Sequence, residues 1–340
     1  MTHLHLVFTV HSRSGQSESN EDFQQCSAEE SRMKIQKIAI VGGTHGNEYT
    51  GPYLLNLLKK RVPPAATYST FELNLFLSNP KAYKNNVRFV DDDLNRSFLK
   101  EDLSNYSLDS YESNRAKVIN QVLGPKEQSK TDLIIDIHST TANMGVSIIL
   151  VNDNMLNLQL ASYIKYNIPN VYIYYIPPET YTGKNDHPFL NSLAKYGFAL
   201  ELGPIPNGVV RYDILMQAYD ATLACLAFIE KKNKGLDVNF EDEIEIYEHV
   251  KTVEFPLNSD GKIDAFIHEN IQDMDYKPLE NGVSIFEKFD GEVVVNHEDE
   301  IFFPVFINEA AYYYKNIAFS LTRKKKIKLS MNNTNVTPVV

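Results

Sequence analysis

A chain of 340 residues with 43% hydrophobic content can bury a large core and is expected to split into two domains. Its formal charge of −11 at pH 7 argues against a nucleic-acid partner, because phosphate binding needs a basic face. With two cysteines, Cys26 in a polar stretch and Cys225 in an apolar helical run, no disulfide framework is expected and a reducing, cytoplasmic location fits.

No apolar segment reaches the length of a membrane span. The run Leu4 to Val10 lacks a basic start and leads into polar residues with no small-residue cleavage pattern, so it does not read as a targeting signal. Residues 11–32 are rich in Ser, Gln and Glu and cannot repay the entropy of ordering. Residues 1–32 are therefore expected to be a disordered extension, or to precede a true start at Met33. From there hydrophobic periodicity predicts a strand at 35–41, a helix at 50–61, a strand at 71–77, a helix at 113–122, and strands at 132–138 and 146–151. A helix at 156–166, strands at 171–176 and 197–202 and a closing helix at 212–232 follow. This alternation reads as an α/β domain over 33–235, a mainly parallel mixed sheet with flanking helices.

After Asn233-Lys234-Gly235 the pattern changes to short alternating strands. Asp260-Gly261, Asn281-Gly282 and Asp290-Gly291 predict hairpins in a smaller β-rich domain over 236–330, followed by a tail over 331–340. The basic run Arg323 to Lys326 with Lys328 alternates into Ile327 and Leu329 and reads as a solvated edge strand.

Residues able to do chemistry gather where apolar runs end. Ile38 to Gly43 leads into His45-Gly46-Asn47-Glu48, and Leu133-Ile134-Ile135 leads into Asp136-Ile137-His138. An α/β enzyme builds its site at the carboxyl ends of parallel strands. His45, Glu48 one helical turn on, and the distant His138 thus amount to a three-ligand zinc site, one ion per chain, with an open fourth position. That position has room for a water whose pKa falls toward neutrality, which makes hydrolysis the expected chemistry. A His-x-x-Glu pair alone is as readily a solvated helix face. The pair here follows Gly42-Gly43, which lets the chain turn sharply out of a strand. Glu201 stands in the apolar run Phe198 to Pro204, where a charge is costly unless paired or functional, so it is the candidate general base. Paired with a buried arginine it would instead be inert. Asp136 either orients a ligand or caps the strand end.

Five strings carry a family resemblance: Gly43-Thr44-His45-Gly46-Asn47-Glu48, Asp93-Leu94-Asn95-Arg96, Asp136 to Gly145, Glu201-Leu202-Gly203-Pro204, and Asn308-Glu309-Ala310-Ala311-Tyr312-Tyr313. In this order and spacing, from about Lys34 to Leu329, the chain resembles the aspartoacylase and aminoacylase-3 family, relatives of the zinc carboxypeptidases. The resemblance implies hydrolysis of the amide of an N-acyl amino acid. It also implies that Arg88 polarises the scissile carbonyl, that Asn95 and Arg96 receive the substrate α-carboxylate, and that Tyr312 lies near bound substrate. Asp93 would hold its loop and Glu309 would be a structural partner from the C-terminal domain, while Asp91 and Asp92 read as solvated.

Two departures bear on specificity. In aspartoacylases an arginine ten residues before the catalytic glutamate, and a lysine four residues after the site tyrosine, help bind the aspartate β-carboxylate; here Asn191 and Asn316 stand there. A buried carboxylate without cationic partners is penalised, and the strings Pro177-Pro178-Glu179 and Ala199 to Pro204 look closer to aminoacylase-3, which prefers neutral and aromatic side chains. Lys184 or His187 can supply a replacement charge, although His187 also reads as an ordinary loop residue. The expected function is a zinc-dependent deacylase of N-acyl-L-amino acids that slightly favours neutral or aromatic side chains, with a homodimer left open. The alternatives are a true N-acetylaspartate deacylase, a succinylglutamate desuccinylase-like enzyme, or a catalytically silent zinc- or ligand-binding protein, against which Glu201 and Arg88 speak.

Overall fold

A computed structural model describes residues 34–62, 68–182 and 186–329; the 1–32 extension, the 331–340 tail, Cys26 and Lys184 lie outside the described residues. The strands are β1 (Lys37–Gly42), β2 (Glu72–Leu77), β3 (Leu133–Ser139), β4 (Gly145–Leu150), β5 (Val171–Tyr175), β6 (Tyr196–Gly203), β7 (Glu243–Glu254), β8 (Ala265–Ile267), β9 (Ser284–Lys288), β10 (Val293–Val295), β11 (Phe303–Val305) and β12 (Ile317–Lys328). The helices are α1 (Thr50–Arg61), α2 (Pro80–Asn85), α3 (Lys100–Ser104), α4 (Tyr111–Val122), α5 (Met155–Asn167), α6 (Glu179–Thr182) and α7 (Tyr212–Asn233).

Nine strands form one mixed sheet in the order β11-β12-β7-β5-β4-β6-β3-β1-β2. Its centre is parallel except that β4 runs antiparallel to β6. The period of two along each strand sorts side chains between faces. Ile38 and Ile40 of β1, with Leu133, Ile135 and Ile137 of β3, join a core beneath α1, α5 and α7. Ala39 and Val41 face the other way, toward Ala116 and Ile119 of α4. The helices at 50–61 and 212–233 begin where periodicity sets them, and the other shared elements differ at their ends by one or two residues. Helices α2 and α3 are too short for a periodic signal and were not expected.

The C-terminal residues do two things that local patterning did not reveal. The 12-residue strands β7 and β12 pair antiparallel and extend the main sheet, whereas β8, β9 and β10 form a separate three-stranded sheet. Asp290-Gly291 closes the β9–β10 hairpin, and the Asp260-Gly261 turn joins the Leu257–Ile263 bridge. Asn281-Gly282, by contrast, turns without joining two adjacent paired strands, because β8 and β9 are linked by the longer segment 268–283. Past Thr322, β12 pairs with β7 alone, and its cations meet Glu245, Glu248, Glu243 and Glu300 in exposed ion pairs.

The 268–283 segment docks on the sheet through buried polar contacts. The Tyr276 ring stacks on Tyr172 with centroids 4.1 Å apart, and its hydroxyl lies 2.7 Å from Ser147 Oγ. Asp275 is 4% exposed; one carboxylate oxygen accepts the Ile307 N–H at 3.1 Å and the other has no hydrogen-bond partner. Burial pushes its pKa up to about 7, against the opposing pull of the backbone N–H groups of Ile307, Asn143 and Phe306. The stability tied to a raised carboxyl is fully present below its ordinary value of 3.8 and is lost as pH rises through about 7. Urea unfolding should therefore show stability falling between about pH 4 and pH 8, with on the order of 4 kcal/mol from this group. Asp275→Asn should flatten that fall, and equal slopes in the two proteins would show that Asp275 contributes none of it.

Candidate active site

Two glycines bring the first motif to its place. Gly43 takes φ of 73°, a left-handed value open to glycine without strain, and turns the chain out of β1. Gly46 lies so close to α2 that a Cβ there would stand 2.1 Å from the Ala82 carbonyl carbon, and its N–H donates to the Arg88 carbonyl at 3.0 Å. His45 and Glu48 are thereby drawn up beside Arg88. On β3, alternation turns Asp136 and His138 away from the helix-side core, and on β6 it does the same for Glu201, the register partner of His138.

His45, Glu48 and His138 converge, with ligand-capable atoms all within 4.8 Å of one another and all three residues buried. Glu48 Oε1 lies 2.6 Å from His45 Nδ1, and Oε2 lies 3.0 Å from His138 Nδ1. Each imidazole has a second carboxylate behind it: His45 Nε2 is 3.0 Å from Asp93 Oδ1, and His138 Nε2 is 2.9 Å from Asp136 Oδ2. Thr44 fixes Asp136 by donating to its other oxygen at 2.8 Å.

A neutral imidazole has one N–H and can satisfy one carboxylate. If each Nε2–H donates to its aspartate, both Nδ1 lone pairs face the oxygens of Glu48, an arrangement of acceptors that needs positive charge between them, from protons or from a shared cation. The donor set thus fits a metal ion held by two nitrogens and a carboxylate. The charge pattern shows a cluster that attracts positive charge, whether as protons on the imidazoles or as a cation. Burial would raise the Glu48 pKa, but His45 and His138 hold it well below the usual carboxylate range. Burial likewise works against a charged His138, and Asp136 and Glu48 overcome it, holding its pKa well above the ordinary value.

The other expected site residues surround a cavity of about 460 Å³ that includes all three cluster residues. Glu201 lines it, 9% exposed, with no hydrogen bond or ion pair among the described residues. Burial holds its carboxyl well above the usual range, Glu48 and Glu309 adding to the effect and His138 and Arg88 opposing it. Arg88 donates to Glu48 Oε1 at 3.1 Å and to Asp93 Oδ2 at 3.3 Å. Burial disfavours its charge, and these two carboxylates outweigh that and raise its pKa. Asp93 also accepts the Asn95 N–H at 2.9 Å. Asn95 in turn accepts the Leu190 N–H at 2.9 Å, and the Arg96 guanidinium lies 5.0 Å from the Phe189 ring centroid. Tyr312 lines the cavity from the C-terminal side, its ring 5.5 Å from Phe306. Glu309 accepts from Thr140 and from the Thr141 N–H at 2.7 Å, and so ties the end of β3 to the 310–315 turn.

Several placements differ from expectation. Asp91 is exposed but caps α4, accepting the Tyr111 N–H at 2.8 Å, so it is not simply solvated. His187 is buried and stacks on Phe189 at 5.7 Å; it is not among the residues lining the cavity, and burial lowers its pKa, so it does not supply a replacement charge. Asn191 lines the cavity, whereas Asn316 takes φ of 58° at the end of the 310–315 turn and does not. Lys251 and Lys315 line it instead, both exposed at its rim, with Lys251 paired to Glu298.

Three contributors escaped the sequence reading. Glu112, fully buried at the start of α4, accepts from Asn79 Nδ2 and from the Val90, Asp91 and Asp92 N–H groups, and so shapes the loop that carries Arg88 and Asp93. Its place in the first turn after the helix-capping Ser110, where an acidic residue favours the helix N-terminus, is the signal that could have drawn notice. Tyr174 and His249 also line the cavity, and β-strand alternation gives no hint that they meet there.

Comparison with known proteins accounts for this arrangement. Residues 34–229 match the succinylglutamate desuccinylase/aspartoacylase catalytic domain, and residues 242–324 match the AstE/AspA barrel-sandwich hybrid domain. The chain belongs to the succinylglutamate desuccinylase/aspartoacylase family. It is 43% identical over 296 residues to a probable aspartoacylase of Trichodesmium erythraeum (strain IMS101), covering 87% of this chain and 99% of that one. It is 38% identical to an N-acyl-aromatic-L-amino acid amidohydrolase (carboxylate-forming) of Xenopus laevis, covering 86% and 95%. Among solved structures it is similar to murine aminoacylase 3, with a TM-score of 0.80, 37% identity, and coverage of 88% of this chain and 98% of that one.

The converging donors predict one tight divalent-ion site per chain. Zinc titrated into metal-free protein should bind with a stoichiometry of one, and zinc at about a hundredfold excess over its Kd should stabilise the fold by about 3 kcal/mol. His138→Ala should abolish both effects. Calorimetry and thermal unfolding that show no zinc response in the unsubstituted protein would overturn the site.

Proposed function

We propose that this chain is a cytoplasmic zinc amidohydrolase that cleaves N-acyl-L-amino acids to a carboxylate and a free amino acid. One observation carries the reading: a buried carboxyl without a hydrogen-bond partner among the described residues, Glu201, lies beside a three-donor cluster in a cavity whose wall also bears Arg88 and Arg96. Residues 33–235 are read as the catalytic domain and 236–330 as a β-rich domain that extends its sheet. No helix among the described residues is long and apolar enough to cross a membrane, and Cys225 is a buried free thiol, in keeping with a reducing compartment.

His45, Glu48 and His138 would hold the ion. Zinc bound there supplies a Lewis acid and lowers the pKa of water, the chemistry that hydrolysis at neutral pH needs. Glu201 takes a proton from the attacking water and delivers it to the amide nitrogen as the C–N bond breaks, a task suited to a carboxyl whose pKa lies well above the usual range. Arg88, kept charged by Asp93 and Glu48, stabilises the negative charge that grows on the carbonyl oxygen. Asn95 and Arg96 hold the substrate α-carboxylate, which fixes which amide is presented.

The side-chain wall favours a neutral or aromatic group. Ile149, Val151, Ile176, Phe189 and Phe306 line it, and Asn191, one of its polar members, stands at the position of the aspartoacylase arginine. The rim lysines are the observation that favours an anionic side chain. Lys251 is already paired with Glu298, and Lys315 extends over the exposed Tyr314 ring, so a buried β-carboxylate would meet Asn191 in place of a cation. The similarity to a protein named for N-acyl-aromatic substrates supports the same preference.

Glu201→Gln should keep the fold and zinc while lowering kcat by about 10²- to 10⁴-fold; turnover near that of the unsubstituted protein would remove Glu201 from the reaction. Steady-state kinetics should give N-acetyltyrosine a kcat/KM at least about tenfold above that of N-acetylaspartate. Arg96→Ala should weaken both substrates alike, because both carry the α-carboxylate. A clear preference for the aspartate derivative would assign the rim lysines, or a residue outside those described, to the β-carboxylate.

A further inference from the structure

The cavity wall away from the metal-capable cluster is a run of rings. Tyr312 packs on Phe306 at 5.5 Å between centroids, Phe306 on Tyr174 at 6.1 Å, and Tyr174 on His249 at 6.2 Å. The run leads from the expected substrate-side tyrosine to a polar end, where Tyr174 Oη lies 2.8 Å from His249 Nδ1. Tyr174, on β5, is 3% exposed, and His249, on β7, is partly buried; both line the cavity. An ion-forming His249 is disfavoured, since burial lowers its pKa.

A phenol is the better donor of this pair and an imidazole nitrogen the better acceptor. Tyr174 therefore donates to Nδ1 and leaves the proton on Nε2, which has no hydrogen-bond partner among the described residues. A second polar group stands in the same wall: Asn191 is 3% exposed, and its Nδ2 amide has no partner either. His249 is half-buried and Asn191 is buried, and a ligand that covers such a donor and leaves it unpaired is penalised. Both are neutral, and neutral donors repay the desolvation of a hydroxyl or carbonyl far better than that of a carboxylate.

Building on the deacylase reading above, we propose that His249, positioned by Tyr174, is a specificity-determining residue that reads a terminal oxygen at the far end of an otherwise apolar substrate side chain. The substrate class this selects is N-acyl amino acids with a hydroxylated aromatic side chain. The ring would lie along Phe306 and Phe189 and the hydroxyl would pair with His249. A hydroxyl suits this site because it both accepts and donates, and so serves the imidazole in either tautomer.

The test compares N-acetyl-L-tyrosine with N-acetyl-L-phenylalanine on the zinc-loaded full chain. These substrates differ by one oxygen, so their kcat/KM ratio isolates the contact. In the unsubstituted protein the tyrosine derivative should lead by about tenfold. In both His249→Leu and Tyr174→Phe the ratio should fall toward one, a change that loss of fold alone would not produce because it lowers both rates together. A ratio at or below one in the unsubstituted protein would overturn the proposal without recourse to any variant. So would a ratio left intact in both variants. Hydrolysis of neither substrate by the zinc-loaded chain would instead remove the deacylase reading, and this inference with it.

Discussion

The site is built around one buried carboxylate. Glu48 faces His45 Nδ1 with one oxygen and His138 Nδ1 with the other, and also accepts the Ser139 N–H at 3.0 Å and a hydrogen bond from Arg88. It therefore joins the loop after β1 to the end of β3 and draws the residue 88 loop toward both. The balance of charge is the constraint. Glu48, Asp93 and Asp136 surround two imidazoles and the Arg88 guanidinium, so the buried group carries an excess of negative charge unless protons or a cation enter it. Buried charge in excess is costly, and a divalent ion held by His45, Glu48 and His138 would offset it.

The same excess reaches Glu201. Burial alone disfavours its ionisation, and the nearby Glu48 and Glu309 add to that. Next to it on the sheet, His138 stands in register one strand away. Two carboxylates, one on the loop after β1 and one on β6 across β3, thus diverge in character: Glu48, flanked by imidazoles, is held ionised, and Glu201, without a hydrogen-bond partner among the described residues, is not. That divergence supports the proposed roles of Glu48 as a ligand and Glu201 as a proton carrier, because environments that push like groups apart in pKa suit them to different tasks.

What the sequence made legible is what local chemistry encodes. Apolar runs with period two located β1, β3 and β6, and the polar residues that interrupt or end them are the ones found around the cavity. What escaped depends on pairings between distant segments. The antiparallel insertion of β4 beside β6 and the addition of β7 and β12 to the main sheet follow from long-range register, which alternation within a strand does not specify. Glu112 and His249 escaped for a related reason. Each is a single polar residue in an ordinary helix or strand pattern, and its role comes from partners more than twenty or seventy positions away, such as Asp91 and Tyr174. Asn316 failed the opposite way, since counting residues placed it at the substrate while the left-handed turn at its φ of 58° gives the cavity to Lys315 and Ile317.

The charged cluster and the apolar wall of the cavity come from different parts of the sheet. The ends of β1, β3 and β6, with the loop carrying Arg88 and Asp93, supply the charged groups around Glu48, while β4, β5 and β7, with Phe189, Phe306 and Tyr312, supply a wall of aliphatic and aromatic side chains. Glu309 joins the two parts, because its carboxylate accepts from the end of β3 while its own residue begins the turn that carries Tyr312. The polar exceptions on the wall, Tyr174, His249 and Asn191, take no part in the hydrogen bonds among Glu48, Asp93, Asp136 and Arg88. On the proposed function, a change on the wall would alter which side chain is accepted without disturbing the charge balance of the cluster, whereas a change beside Glu48 would shift every group in the cluster at once.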